Sequence, residues 1–155
     1  RVVRVMPNTP LLVGKGATAV AQAHDVPPDT FQTVVEIFSA AGEVAVIPED
    51  QMDAIVAVSA SSPAFFFRMI DAMVAEAQRQ GIDPALAKNM AARTMEGAAV
   101  MLLQSEKTAG ELTEQVCSPG GTTLAALSAF REMGFDALIS EAMVRCTKRS
   151  IQLGK

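Results

Sequence analysis

The chain has no tryptophan and no tyrosine, a single histidine and only two cysteines. His24 lies beside Pro27 and Pro28 in what reads as a solvated loop. With no second histidine, and with Cys117 and Cys146 far apart, there is no ligand spacing for zinc. The two thiols make no disulfide framework and fit a reduced, cytoplasmic setting. Charge is sparse: 19% of residues are charged and the net charge is −4. That acidic balance speaks against nucleic acid as the main partner. No apolar run is long and charge-free enough to cross a bilayer, so no membrane association is expected. No Gly-x-Gly-x-x-Gly, P-loop or Gly-x-Ser-x-Gly motif occurs, which excludes a dinucleotide seated on a Rossmann turn of this chain's own.

What is present is apolar and soft. Half of the 155 residues are hydrophobic, with nine methionines and seven phenylalanines, enough to bury a core. Small residues let helices approach closely and methionine fills irregular gaps, as in a helical assembly with an apolar partner face.

The first part reads as strand, strand, helix, strand. Arg1-Val2-Val3-Arg4-Val5 reads as a strand, running to Met6, and not as a signal peptide. Pro7-Asn8-Thr9-Pro10 is a tight turn. Lys15 to Ala21 is a second strand. Asp29 or Thr30 caps a helix through Phe31, Val34, Val35, Ile37 and Phe38, which Gly42 ends. Glu43 to Ile47 is a third strand, closed by Pro48. Three strands and one helix do not close a core alone, so residues 1–48 are expected to be the tail of a larger α/β domain.

After Pro48 no strand pattern remains. Glu49 and Asp50 open a helix to about Val58, with acids where the helix dipole favours them. Ser59-Ala60-Ser61-Ser62 interrupts it, and a second helix starts near Pro63. That helix is apolar on most of its circumference from Phe65 to Val74, which predicts burial, between subunits if not within one. Asp83 caps the next helix, Ala85 to about Leu103. Thr108 and Glu111 form a capping box for a short helix to Val116. The last helix runs from about Asp136 to Gln152, with Leu138, Ile139, Ala142, Met143 and Cys146 on one face, and Cys146 reads as a core residue. Cys117 also reads as packing, since nothing beside it activates a thiolate.

The end of the short helix to Val116 and the loop after it read Gln115-Val116-Cys117-Ser118-Pro119-Gly120-Gly121-Thr122-Thr123, and a further helix then runs to Met133, where Gly134 stops it. Pro119 disfavours helix before it, and two glycines leave bare backbone for a ligand to approach. A new helix begins here, so its free N–H groups and dipole face the loop, sized for a carboxylate or phosphate. Thr122 and Thr123 add hydroxyls. A plain helix-loop-helix turn with a threonine cap has the same spacing.

These residues resemble pyrroline-5-carboxylate reductase. Val5-Met6-Pro7-Asn8-Thr9-Pro10 is similar to that family's turn near the nicotinamide. Ser59-Ala60-Ser61-Ser62-Pro63-Ala64-Phe65 is similar to its segment opening the long helix. Ser105-Glu106, with the loop from Gln115 to Thr123, is similar to its substrate loop and signature. The middle stretch departs, with Ala60 and Ser62 at usual glycines and Phe65 at a usual tyrosine. The family's N-terminal Rossmann domain has no counterpart here. The implied fold is mainly α: a helical dimerisation domain at residues 49–155, after the remnant of a Rossmann-type α/β domain at residues 1–48. The implied reaction is NAD(P)H-dependent reduction of 1-pyrroline-5-carboxylate to L-proline by a cytoplasmic homodimer or higher oligomer, with this chain inactive alone. The main nucleotide site, for NADPH or NADH, falls in the missing domain.

By the same resemblance Thr123 and Glu106 are catalytic. Thr123 orients or relays a proton to the ring nitrogen, and Glu106 stabilises its positive charge. Glu49, Ser118, Gly120, Gly121, Thr122 and Thr123 bind substrate; Asn8, Thr9 and Gln115 touch the cofactor. Each residue also has a plain alternative: Glu106 as a solvated helix-end acid, Glu49 as a first-turn helix acid, Gln115 as an exposed helix residue, and Asn8 and Thr9 as a turn. At the level of the whole chain, the alternatives are a non-catalytic dimerising module and a related imine or β-hydroxyacid reductase.

Overall fold

The computed structural model describes residues 2–154, and Arg1 of the expected first strand lies outside them. The backbone falls into two compact units, Arg1–Phe66 with Ile139–Lys155, and Phe67–Leu138.

The first unit is built on a three-stranded sheet in the order β1-β2-β3, with β1 at Val5–Met6, β2 at Gly16–Ala21 and β3 at Gly42–Ile47. The expected strand from residue 1 shrinks to two residues, because only Val5 and Met6 find ladder partners, at Val20 and Ala19. β1 runs antiparallel to β2 and β3 parallel to it. The parallel pair is joined by α1, Pro28–Ser39, since parallel strands need a crossover. β2 is the central strand, and Gly16 and Thr18 to Ala21 are all buried. Met52, wholly buried, packs on Ala19 and Ala21, with Met6, Ile47 and Ile55 around them.

Two helix ends differ from expectation. The cap of α1 is Pro27 with Pro28 at the first position, and neither Asp29 nor Thr30 caps it. The backbone there is already set by two fixed proline φ angles. Gly42 opens β3 rather than ending α1, with φ +152°. It lies opposite Gly16, and a Cβ on Gly42 would run into the Gly16 backbone. Only a glycine lets these strands meet.

The expected break at Ser59–Ser62 is not a loop. A 3₁₀ turn at Glu49–Gln51 leads into α2, Met52–Ile55, then a π turn at Val56–Ala60, then α3, Ser62–Arg79. The amide of Ser61 donates to the carbonyl of Val56 at 2.8 Å, so the chain widens for one turn and carries on. The continuous stretch Glu49–Arg79 is therefore 31 residues long. With mean hydropathy 1.3 over its best window, it is long and apolar enough to cross a bilayer by length and composition. Ser59, Ser61 and Ser62 divide this run in the sequence pattern, which is why the pattern predicts no such helix.

The second unit is helical throughout. α4 is Pro84–Gln104, α5 is Ala109–Gln115 and α6 is Thr122–Glu132. The local signals act as expected. The Asp83 carboxylate accepts from the Leu86 amide at 2.9 Å, and Thr108 and Glu111 close a full capping box. No residue of Phe67–Leu138 is buried. α7, Phe135–Leu153, completes the chain. Within the first unit its inward stripe is Ile139, Ala142, Met143, Cys146, Thr147 and Ser150, at three- and four-residue spacing. Leu138, expected on that face, is 65% exposed, being one step off the stripe.

Candidate functional site

Gln115 is the last residue of α5, and the chain then tightens, with the Val116 amide on the Thr113 carbonyl at 3.2 Å and the Cys117 amide on Glu114 at 3.1 Å. Ser118 starts a turn in which the Gly121 amide donates back to the Ser118 carbonyl at 2.9 Å. Pro119 fits its second position, and Gly120, at φ +70°, fits the third, the chemistry of a type II turn. A Cβ on Gly120 would meet open space, so backbone is accessible there; a Cβ on Gly121 would meet the Ser118 hydroxyl. The turn holds Gly121 extended, φ −78° and ψ 166°, as the cap residue of α6.

The threonine cap weighed from the sequence is not formed. Gly121 occupies the cap and no side chain caps α6. The first amide to bond back is Ala125, to the Gly121 carbonyl at 3.3 Å. The amides of Thr122, Thr123 and Leu124 thus point out of the first turn with the positive end of the dipole, an arrangement that binds a carboxylate. Thr123 is half-buried beside them and Thr122 is exposed. Glu106 is exposed in the Ser105–Thr108 link at the other end of α5, where the Ser105 hydroxyl accepts from the Lys107 amide at 3.0 Å. α5 has seven residues, so the Glu106 link and the glycine turn stand about 10 Å apart along its axis. Cys117 is half-buried behind the turn and lines an apolar cavity of about 490 Å³ with Leu124, Leu127, Phe130 and Phe135. That placement fits packing.

The first unit holds the remaining candidates. Asn8 is half-buried after β1. Its Oδ1 accepts from the Ala17 amide at 3.0 Å and its Nδ2 donates to the Ser59 carbonyl at 3.1 Å, tying the turn to β2 and to the π turn. One Nδ2 hydrogen remains for a ligand. Thr9 is exposed at the start of a 3₁₀ turn, Thr9–Val13. Glu49, also exposed, accepts at Oε1 from Arg4 at 2.8 Å. Arg4 reaches on to Asp53 at 3.2 Å, and Asp53 accepts from the Ser150 hydroxyl at 2.6 Å. The hydrogen bond to Glu49 chiefly raises the Arg4 pKa. The Ser150 hydrogen bond chiefly holds the Asp53 carboxyl below its ordinary range. Sequence reasoning missed this network. Its one local signal is a cation inside a β-branched stretch, with Glu49 and Asp53 at helical spacing elsewhere.

The sequence profile described as pyrroline-5-carboxylate reductase dimerisation matches residues 49–153. Pyrroline-5-carboxylate reductase of Methanosarcina acetivorans is 41% identical over 155 residues, covering 100% of this chain and 57% of that protein. The crystal structure of the Plasmodium falciparum reductase with NADP bound superposes with TM-score 0.93 at 29% identity, covering 99% of this chain and 62% of that one. The Coxiella burnetii reductase structure gives 0.93 at 34% identity, covering 100% and 58%. The chain thus spans little more than half the length of these relatives. With a turn that delivers an uncapped helix start to solvent, and with these likenesses along its whole length, the chain belongs to the pyrroline-5-carboxylate reductase family.

Proposed function

We propose that this chain is the substrate-binding and dimerising part of an NAD(P)H-dependent reductase that converts 1-pyrroline-5-carboxylate to L-proline. The observation that carries the reading is the Ser118–Thr123 turn. It sets a positive-φ glycine, three free amides and a half-buried threonine hydroxyl together. The substrate is a small ring with one carboxylate and one imine nitrogen. The carboxylate sits on the Thr122, Thr123 and Leu124 amides, with Gly120, Gly121 and Ser118 shaping the approach. The Thr123 hydroxyl is left for the ring nitrogen. It is a weak acid, so it orients the ring or relays a proton through water. By the family resemblance, Glu106 and Glu49 supply the carboxylates that stabilise the nitrogen as it becomes positive.

The nucleotide, NADPH or NADH, supplies the hydride when bound, and its main site belongs to a domain outside residues 1–155. The groups here that fit its nicotinamide end are the free Nδ2 hydrogen of Asn8, the exposed Thr9 hydroxyl and the exposed Gln115 amide. On this reading residues 1–48 are the edge of the cofactor domain and residues 49–155 the dimerisation domain, whose start coincides with that of the matched profile. The protein works as a homodimer, because no residue of Phe67–Leu138 is fully buried within the chain and its apolar faces call for a partner.

The test uses the full-length polypeptide carrying a cofactor domain, as wild type and Thr123→Ala, following NAD(P)H oxidation with pyrroline-5-carboxylate. Turnover by wild type with a loss of about tenfold or more in kcat/KM for the variant, about 1.4 kcal/mol, supports the site. Equal activity of the two removes Thr123 from it. No turnover by wild type favours a non-catalytic dimerising module.

A further inference from the structure

Glu49 is a weakly placed residue for precise work. It opens a 3₁₀ turn straight after Pro48, its side chain is 59% exposed, and Asp53 follows four positions later. Like charges at that spacing repel across a helix face. Left alone, the Glu49 carboxylate would turn away from Asp53 into water.

Arg4 prevents this. Its backbone carbonyl is fixed in the sheet by the Ala21 amide at 2.8 Å. Its side chain is only 39% exposed, and the guanidinium divides between the two acids, one nitrogen on Glu49 Oε1 at 2.8 Å and the other on Asp53 Oδ1 at 3.2 Å. The same Asp53 Oδ1 also accepts from the Ser150 hydroxyl of α7 at 2.6 Å, which fixes it. The order of contacts is Ser150, Asp53, Arg4, Glu49, running from the most anchored group to the most exposed. A planar guanidinium can serve two carboxylates at once; a lysine ammonium presents only a point charge. Only one oxygen of Glu49 is used: among the described residues Oε2 has no hydrogen-bond partner. It remains an acceptor for a ligand.

We propose that Arg4 is a positioning residue for Glu49, holding it by one oxygen and leaving the other to accept from substrate. This rests on the reading of Glu49 as a substrate-side acid. Asp53 and Ser150 take no part in the chemistry; they fix the angle at which Arg4 presents Glu49.

The test measures KM and kcat for pyrroline-5-carboxylate in the full-length polypeptide, for Glu49→Gln, Arg4→Gln, the double variant and Asp53→Asn. Glu49→Gln is expected to raise KM about tenfold. Arg4→Gln is expected to raise it about fivefold, within the range of a single exposed ion pair. The double variant should match Glu49→Gln alone, because Arg4 acts only through Glu49. A merely structural Arg4 would multiply with Glu49→Gln, and that result overturns the proposal. So does an unchanged KM for Arg4→Gln when Glu49→Gln raises it. An unchanged KM for Glu49→Gln itself removes the substrate-side reading, and the proposal with it. If Arg4→Gln does not fold, Asp53→Asn decides: it leaves Glu49 intact and loosens Arg4, so KM should rise about threefold, and no rise overturns the assignment.

Discussion

The two units of this chain are stabilised in different ways. Arg1–Phe66 with Ile139–Lys155 holds every buried residue in the described structure, among them Val20 and Met52 at 0% exposure. Phe67–Leu138 holds none, and leaves Phe67 at 65%, Met90 at 59%, Met101 at 55% and Leu103 at 85% exposure. Both are rich in apolar residues, so composition is not the difference. In the first unit a strand is covered on both faces and a methionine closes on it. In the second, good helix caps and amphipathic faces surround no core of their own. An exposed apolar surface of that extent marks an interaction surface. The helix ends are set locally, and the burial these helices lack is what a partner surface would supply.

The largest effect that breaks this comparison comes from denying the second unit its cover. Phe67 lines an apolar groove of about 520 Å³ with Ile70, Val74, Pro84, Ala85 and Ala92. On the homodimer reading, Phe67→Asp should give a monomer in light scattering where the wild type gives a dimer, and most of the helical circular dichroism of Phe67–Leu138 should go with it. Obligate dimers bury about 2,000 Å² or more through core-like surfaces. A wild type that is monomeric at micromolar concentration yet keeps full helicity would sink the idea.

Met52→Ala empties the centre of the first unit and should cost about 2–5 kcal/mol in denaturant unfolding. Since its packing partners Ala19, Ala21, Met6, Ile47 and Ile55 all belong to that unit, the loss should not depend on protein concentration. Met101→Ala should behave oppositely, costing little in dilute monomer and more as the protein associates. Equal and concentration-independent losses for the two would show that the second unit has an internal core after all.

What could be read in the sequence follows the same divide between local and distant causes. Asp83, Thr108 with Glu111, and Pro119-Gly120 were legible because their partners lie within three residues, where side-chain chemistry dictates the backbone. The strand at Val5–Met6 was misjudged in length because its ladder depends on Val20 and Ala19. The π turn at Val56–Ala60 was missed because it answers to contacts elsewhere, including the Asn8 side chain on the Ser59 carbonyl. The candidate loop was legible as a ligand-sized turn, though Gly121 and not a threonine is its cap. The Arg4 network could not be read at all. Its members lie 45, 49 and 97 positions apart, and no pattern of spacing announces such a meeting.

The smallest effect tests whether local signals stabilise the second unit at all. Thr108 donates through its amide to Glu111 Oε2 at 2.7 Å, and its hydroxyl accepts from the Glu111 amide at 3.2 Å. Thr108→Ala should cost about 1 kcal/mol, the ordinary worth of such a cap. The backbone hydrogen bond from Thr108 chiefly holds the Glu111 carboxyl below its ordinary value of 4.5. A carboxyl whose folded pKa is depressed contributes stability that is complete above the unfolded value and is lost as pH falls through the folded one. Thr108→Ala keeps the backbone amide but removes the hydroxyl's own bond to Glu111 Oε2 at 2.8 Å, the second cause of the lowering, so the gap between wild type and variant should hold steady near neutrality and narrow, by that bond's share, as pH drops from about 5 to about 3. A gap that stays constant through that range would mean the hydroxyl's bond to the Glu111 carboxylate adds nothing to the threonine cap. α5 would then be held, like its neighbours, only by what covers it.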